Sequence, residues 1–248
     1  MVSVSDTVKQ NYSAFSDRLP VNLSANVKTL SQHKHLVESY ARVALLNGVK
    51  IDLVKDHFPH GAAQFFYEAH NDALLSHVNA SFGSWRPALQ SLRSFIENTL
   101  SAIYYLDHPV EYIKWESGTF RLTPRELREY VVDHPKTSII CKELGLRAEL
   151  DKEYATLSKA VHGSTSMFRM TSIDGNTKIA DASIPELGKW SKREQSAFNL
   201  CLVLLVAVLQ EHFDGAKQEG LRNRLGVALK VGSRAALKQK LGISIPAP

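Results

Sequence analysis

The chain has 248 residues, of which 44% are hydrophobic, 22% charged and 8% aromatic. That balance excludes a disordered tail, a collagen-like fibre and a membrane bundle, and the length suffices for a sizeable core. A net charge of +5 permits a polyanionic partner without requiring one.

Helical signals dominate from the start. Between Ser24 and Leu46, apolar residues at Val27, Leu30, Leu36, Val37, Tyr40, Val43 and Ala44 recur with a period near that of an α-helix, and Gly48 stands where a left-handed cap would end it. A second helix is expected from Gly61 to Val78, carrying Phe65, Phe66, Ala69, Ala73 and Leu74, with Gly83 closing it. The third is the best marked: Ser84 can cap, Pro87 falls in the first turn, and Leu89, Leu92, Phe95, Ile96, Leu100, Ile103 and Tyr104 follow in phase. It should stop before His108-Pro109, because a residue preceding proline avoids the helical region.

Thr123-Pro124-Arg125-Glu126 is a capping box with proline at the first helical position, which predicts a helix through Val132. Another helix is expected over Ser138 to Leu144, then Gly145, then a longer one from Arg147 to Val161. Helical period is lost between Gly163 and Pro185, where Asp174-Gly175-Asn176 predicts a tight turn; a small β-hairpin or ordered loop is expected near residues 165–185. Helix resumes at Ser191, with Ser191 and Glu194 read as a further capping box, and its apolar run from Cys201 to Leu209 belongs at the centre of a bundle.

From Lys217 to Lys240 seven cations stand against one acid, Glu219, a net of +6 in 24 residues that exceeds the charge of the whole chain. The expected fold is therefore all-α: a helical bundle over residues 1–214 and a basic helical tail over 215–248. The tail cations Arg222, Arg224, Lys230 and Arg234 are candidate contacts to a nucleic-acid backbone, although no aromatic residue lies among them to stack on bases. A solvated helix face accounts for them equally well.

Several chemistries are absent from the sequence. There is no glycine-rich phosphate loop and no zincin, hydrolase or kinase signature, so no nucleotide cofactor is expected. Cys141 and Cys201 lie sixty residues apart without zinc spacing, which fits a reduced, cytoplasmic chain. The first ten residues lack the apolar core of a secretory signal. The longest apolar run, Leu200 to Leu209, is ten residues long, half of the roughly 20 that a membrane span requires. His57, His60, His70 and His77 fall within 21 residues, near Asp52, Asp56, Glu68 and Asp72. They are either polar positions at helix ends and surfaces or a metal cluster; the former is preferred and no metal is assigned.

The strongest constellation is Tyr154-Ala-Thr-Leu-Ser158-Lys-Ala-Val-His162-Gly163. Tyr154, Ser158 and His162 are spaced i, i+4, i+8, one stripe of a helix ending in a histidine at its C-terminus, where the dipole favours the protonated ring. The helix after Ser84 carries Arg93 and Glu97, also i, i+4, in an otherwise apolar pattern. If the two helices face each other, the five residues form one polar cluster. Either they are a structural network holding two helices in register, or His162 exchanges protons while Arg93 steadies a phosphate.

The Arg-Ser-Phe-Ile-Glu-Asn helix followed by Tyr-x-x-Leu-Ser-x-x-Val-His-Gly resembles the all-helical HEPN superfamily (higher eukaryotes and prokaryotes nucleotide-binding), in its divergent bacterial branches. The resemblance covers roughly Trp85 to Ser166, within a core of about 85–213. It implies a bundle, usually dimeric or joined to a partner protein, of a toxin-antitoxin or anti-phage system that binds RNA or cleaves it without a metal. It further implies His162 as general acid/base, Arg93 as phosphate clamp, Glu97 as its orienting partner, and Tyr154 and Ser158 as hydrogen-bonding neighbours. Family nucleases carry an arginine four to six residues before the histidine. Here none precedes His162 at that distance, and Arg93 is the candidate substitute. The one local fit to that spacing, Arg128 to His134, ends at Pro135 and is read as chance.

Overall fold

A computed structural model describes residues 4–162, 170–171, 174–175, 177–213 and 219–248, with residues 161 and 162 described by their backbone alone. Almost all of it is helix, as expected: α1 (Val4–Leu30), α2 (Lys34–Val49), the one-turn α3 (Lys55–His57), α4 (His60–Ser81), α5 (Trp85–Asp107), α6 (Pro109–Glu116), α7 (Pro124–Asp133), α8 (Ser138–Leu144), α9 (Leu146–His162), α10 (Ile184–Val208), α11 (Glu219–Ala228) and α12 (Val231–Leu241). No helix of the described residues is long and apolar enough to cross a membrane.

The centre is the α4–α5 hairpin, against which α10, α9 and α7 pack. Its corner is made by Gly83, whose φ of +75° is the left-handed cap conformation glycine adopts without strain. Phe95, Ile96, Leu100 and Ile103 of α5 are buried in the core, and the Phe95 and Phe198 rings, 4.9 Å apart, join α5 to α10. From Ala197 to Val208 every residue of α10 is buried, because an all-round apolar helix is stable only inside a bundle. The capping box at Thr123 forms as expected: Thr123 N donates to Glu126 Oε2 at 2.7 Å, and Glu126 N to Thr123 Oγ1 at 3.2 Å. Gly145 closes α8 with φ +60°.

Four local expectations are corrected. Gly48 is not a cap: the helix runs through it to Val49 and continues as a π-helical turn, Lys50–Val54, into α3. Its lack of a side chain leaves room for the Arg224 guanidinium, which crosses it so closely that a Cβ would lie 3.1 Å away. The single helix expected over Ser24 to Leu46 is two, separated at Ser31–His33, and the first begins twenty residues earlier, at Val4. Val37 and Tyr40 of the expected apolar face are exposed, while Leu36, Ser39, Arg42 and Leu46 are buried. The cap of α10 is Ser183, which accepts from Glu186 N at 3.4 Å. Ser191 and Glu194 are buried in mid-helix instead, because Glu194 is the ion-pair partner of Arg42. The same Ser-x-x-Glu spacing occurs at both places, and only the earlier one precedes a free helix end.

Between α9 and α10, Thr171 and Thr177 form an isolated antiparallel bridge, with Lys178 N donating to Met170 O at 2.8 Å and Gly175 at φ +80° in the turn. Residues 165–169, 172–173 and 176 of the expected hairpin lie outside the described residues. The C-terminal segment is helical and packs closely. Leu221 and Leu225 of α11, Leu237 of α12 and Ile243 beyond it belong to the common core, with α11 lying on α2 and α12 on α8.

Candidate functional site

α5 turns its apolar stripe inward, and Arg93 and Glu97 lie at the edge of that stripe, where α9 crosses. One helical turn apart, they form an ion pair with Nη2 to Oε1 at 3.1 Å. Tyr154 of α9 completes the group: its hydroxyl donates to Glu97 Oε1 at 2.5 Å and accepts from Arg93 Nη2 at 2.7 Å. Three of the five residues singled out in the sequence are therefore joined by short, charge-assisted hydrogen bonds.

The electrostatics follow from partial burial. Burial, then the Glu97 carboxylate, pushes the Tyr154 hydroxyl above its ordinary pKa. Burial works against the charge of Arg93, but Glu97 and Tyr154 overcome it and raise the guanidinium pKa. Tyr154 also carries two cations on its ring, Arg93 at 5.0 Å and Arg128 of α7 at 4.3 Å from the centroid. On the far side of Glu97, Asn98 donates to Asp72 of α4 at 2.7 Å. Burial pushes the Asp72 carboxyl up to about 6; the bond from Asn98 opposes this, and Glu68 and Glu97 reinforce it.

Arg128 links this group to a hollow of about 320 Å³ between α7 and α9, lined by Arg125, Arg128, Arg147, Glu129 and Asp151. Each arginine has a carboxylate partner: Glu129 at 2.8 Å from Arg125, Asp151 at 2.8 Å from Arg128, and Asp133 at 2.7 Å from Arg147. The hollow is rich in guanidinium groups yet close to neutral.

Ser158 lies one turn beyond Tyr154, half-buried, and is not among the groups bonded to Arg93, Glu97 or Tyr154. His162 is the last residue of α9. The expected approach of its ring to Arg93 lies outside the described side chains. Eight residues separate Tyr154 from His162, about 12 Å along the helix, so Arg93 is pinned two turns away from the histidine's position. Arg86, outside the group that the sequence marks, donates from Nε to the Ala160 carbonyl at 2.9 Å in the last turn of α9. Arg86 precedes Arg93 by seven residues, which puts both on one face of α5; that spacing was the available signal. The two bonds also show that α5 and α9 run antiparallel.

Other candidates are dispersed. His134 Nε2 lies 2.7 Å from Asp107 Oδ2, and its Nδ1 accepts from Lys136 N at 3.1 Å, so both ring nitrogens are engaged and Arg128 points elsewhere. His57 stacks on His212 at 3.6 Å, and His77 Nδ1 lies 3.1 Å from Ser39 Oγ. Among the described residues no group of three or more His, Cys, Asp or Glu is arranged to hold a metal.

Of the tail cations, Arg222 donates to Phe213 O at 2.5 Å, Arg224 pairs with Asp52 at 2.7 Å, and Arg234 donates to Pro246 O at 2.9 Å. Lys230 caps α12, its backbone N–H donating to Asn199 Oδ1 at 2.9 Å. Arg222 and Arg224 thus fasten α11 to the bundle, whereas Arg234 ties α12 to the chain end. The chain matches no protein-family model, no curated protein and no solved structure.

Proposed function

We propose that the chain is a HEPN-like helical protein of a bacterial toxin or anti-phage module that binds RNA and cuts it without a metal at the His162 end of α9. The observation that carries this reading is the antiparallel pairing of α5 with α9. It sets Arg93 against Tyr154 and Arg86 against the last turn of α9, two cations along the stripe that ends in His162. In this reading His162 exchanges protons with the ribose 2′-hydroxyl and the leaving oxygen, with Arg86 nearest the scissile phosphate. Arg93, held by Glu97 and Tyr154, meets the neighbouring phosphate. Donors fixed before the substrate arrives need no reorganisation when charge develops.

Incubation with total RNA in EDTA tests the proposal. Cleavage is expected, and His162→Ala should remove it at an unchanged melting temperature. Intact RNA with the parent protein, or full cleavage by the variant, would refute it.

One observation favours a second reading, a non-catalytic interaction subunit. Arg93, Arg125, Arg128 and Arg147 are each already neutralised by a carboxylate. The same cluster then serves as a register device between helices. An inert protein that purifies free of nucleic acid and bound to a partner protein is the result that reading requires.

A further inference from the structure

α1 stands apart from the rest of the molecule in its burial. It is 27 residues long, and Leu30, its last residue, is its one buried residue. It is anchored at that end, where Asn26 Nδ2 donates to Phe82 O at 2.9 Å beyond the end of α4. Its apolar side chains are exposed along the rest of its length: Leu19 is 39%, Phe15 54%, Tyr12 69%, Val8 60% and Val4 82% exposed.

These side chains are not scattered. Val4 and Phe15, Val8 and Leu19, Tyr12 and Leu23, and Leu19 and Leu30 are each eleven residues apart. An eleven-residue repeat corresponds to about 3.67 residues per turn, so the stripe keeps to one face of the helix, which carries Pro20 within it. It runs from the core at Leu30 out to Val4. A single helix gains nothing from such a face in water.

At the base of α1 a second apolar patch is uncovered. Val37 and Tyr40 of α2 and Leu74, Leu75 and Val78 of α4 are exposed, with the Tyr40 ring 6.0 Å from that of His77. At 150–250 Å² per aromatic ring, Tyr12, Phe15 and Tyr40 alone present on the order of 300–400 Å². With the aliphatic residues the two exposed areas together come to roughly 800 Å², about one side of a standard interface.

We infer that the α1 stripe is a self-association surface, covered by α1 of a second copy of this chain in a two-fold contact whose edge reaches the α2–α4 patch. A lipid surface fits less well. Helices that lie on membranes carry a strongly cationic polar face, whereas α1 sets Lys9, Arg18 and Lys28 against Asp6 and Asp17 among serines and asparagines. A two-fold contact covers both copies' stripes at once, as an isologous interface requires. The inference is independent of the RNA reading.

Multi-angle light scattering of the full chain at micromolar concentration should give twice the chain mass. Phe15→Glu, at a side chain outside the core, should halve that mass with an unchanged circular dichroism spectrum and melting temperature. Single cysteines placed at Val8, Tyr12, Phe15 or Leu19 give a second readout, because both native thiols, Cys141 and Cys201, are buried. Disulfide-linked dimers are expected at all four positions for a parallel pair, or at the one nearest the two-fold axis for an antiparallel pair. A monomeric parent, a Phe15→Glu variant that stays dimeric, or no cross-link at any position overturns the inference. A monomer that sediments with phosphatidylcholine–phosphatidylglycerol vesicles through α1 overturns it in favour of lipid.

Discussion

Asp72 shows how the polar cluster is balanced at the level of single groups. Its carboxyl is held near a pKa of about 6, chiefly by burial, with Glu68 and Glu97 adding to the effect and Asn98 opposing it. A carboxyl whose folded pKa lies above its unfolded value disfavours the fold once ionised. Its contribution is therefore most favourable below the unfolded value of 3.8 and is lost as pH rises through about 6. Asp72→Asn keeps an acceptor for Asn98 and removes the charge. It should stabilise the protein at pH 8 by about 1 kcal/mol, less than the full shift implies because water still reaches the group. Urea unfolding across pH is the measurement, and the gain should shrink as pH falls through about 6 and disappear below about pH 4, near the unfolded value. Equal stabilisation at every pH would mean that the charge is not the cause. Tyr154 is balanced differently, since its hydroxyl joins a carboxylate to a guanidinium and its ring carries two cations.

Among the elements, the α4–α5 hairpin positions the cluster, and its corner is where it is most easily broken. Gly83 has φ +75°, and a Cβ there would run into the Asp181 carbonyl. Its own carbonyl accepts from Asp181 N at 3.1 Å, and Trp85 Nε1 donates to Asp181 O at 3.0 Å. The segment leading into α10 is thus pinned to the corner by backbone contact. Gly83→Ala adds left-handed strain to a steric clash and should cost about 2 kcal/mol or more. Thermal unfolding measures that loss, and hydrogen exchange should show the amides around Asp181 opening first. Protection there equal to the parent's would show that the approach is not rigid.

Across the whole molecule, α2 and α10 are joined by a pair 152 residues apart in sequence, Arg42 Nε to the two Glu194 oxygens at 3.0 and 2.8 Å. Both side chains are buried, at 4% and 1% exposure. Burial raises the Glu194 pKa, and Arg42 is the main opposing influence. Removing one partner strands a charge in the core, so Arg42→Ala should cost about 3–5 kcal/mol. The double variant Arg42→Met with Glu194→Leu should recover most of that, because two apolar groups need no solvation. Denaturant titration of the three variants decides the point, and a double variant as unstable as Arg42→Ala would contradict it.

The sequence by itself determined the elements whose causes are local. The Thr123 capping box, the glycine turns at Gly83 and Gly145, the stop before Pro109 and the all-round apolar α10 depend on neighbours within a few turns, and periodicity and turn chemistry report those. It also marked Arg93, Glu97 and Tyr154, because polar residues at i, i+4 in an apolar stripe need partners. Only the tertiary structure decided which partners they have. It revealed Arg128 on the Tyr154 ring, Arg86 on the last turn of α9, Arg224 over Gly48, and Glu194 as an ion-pair partner instead of a cap. Each of these depends on chain segments brought together from 26 to 176 positions apart. A one-dimensional pattern records which residues share a face of one helix, but it carries no information about what the packed bundle sets opposite that face.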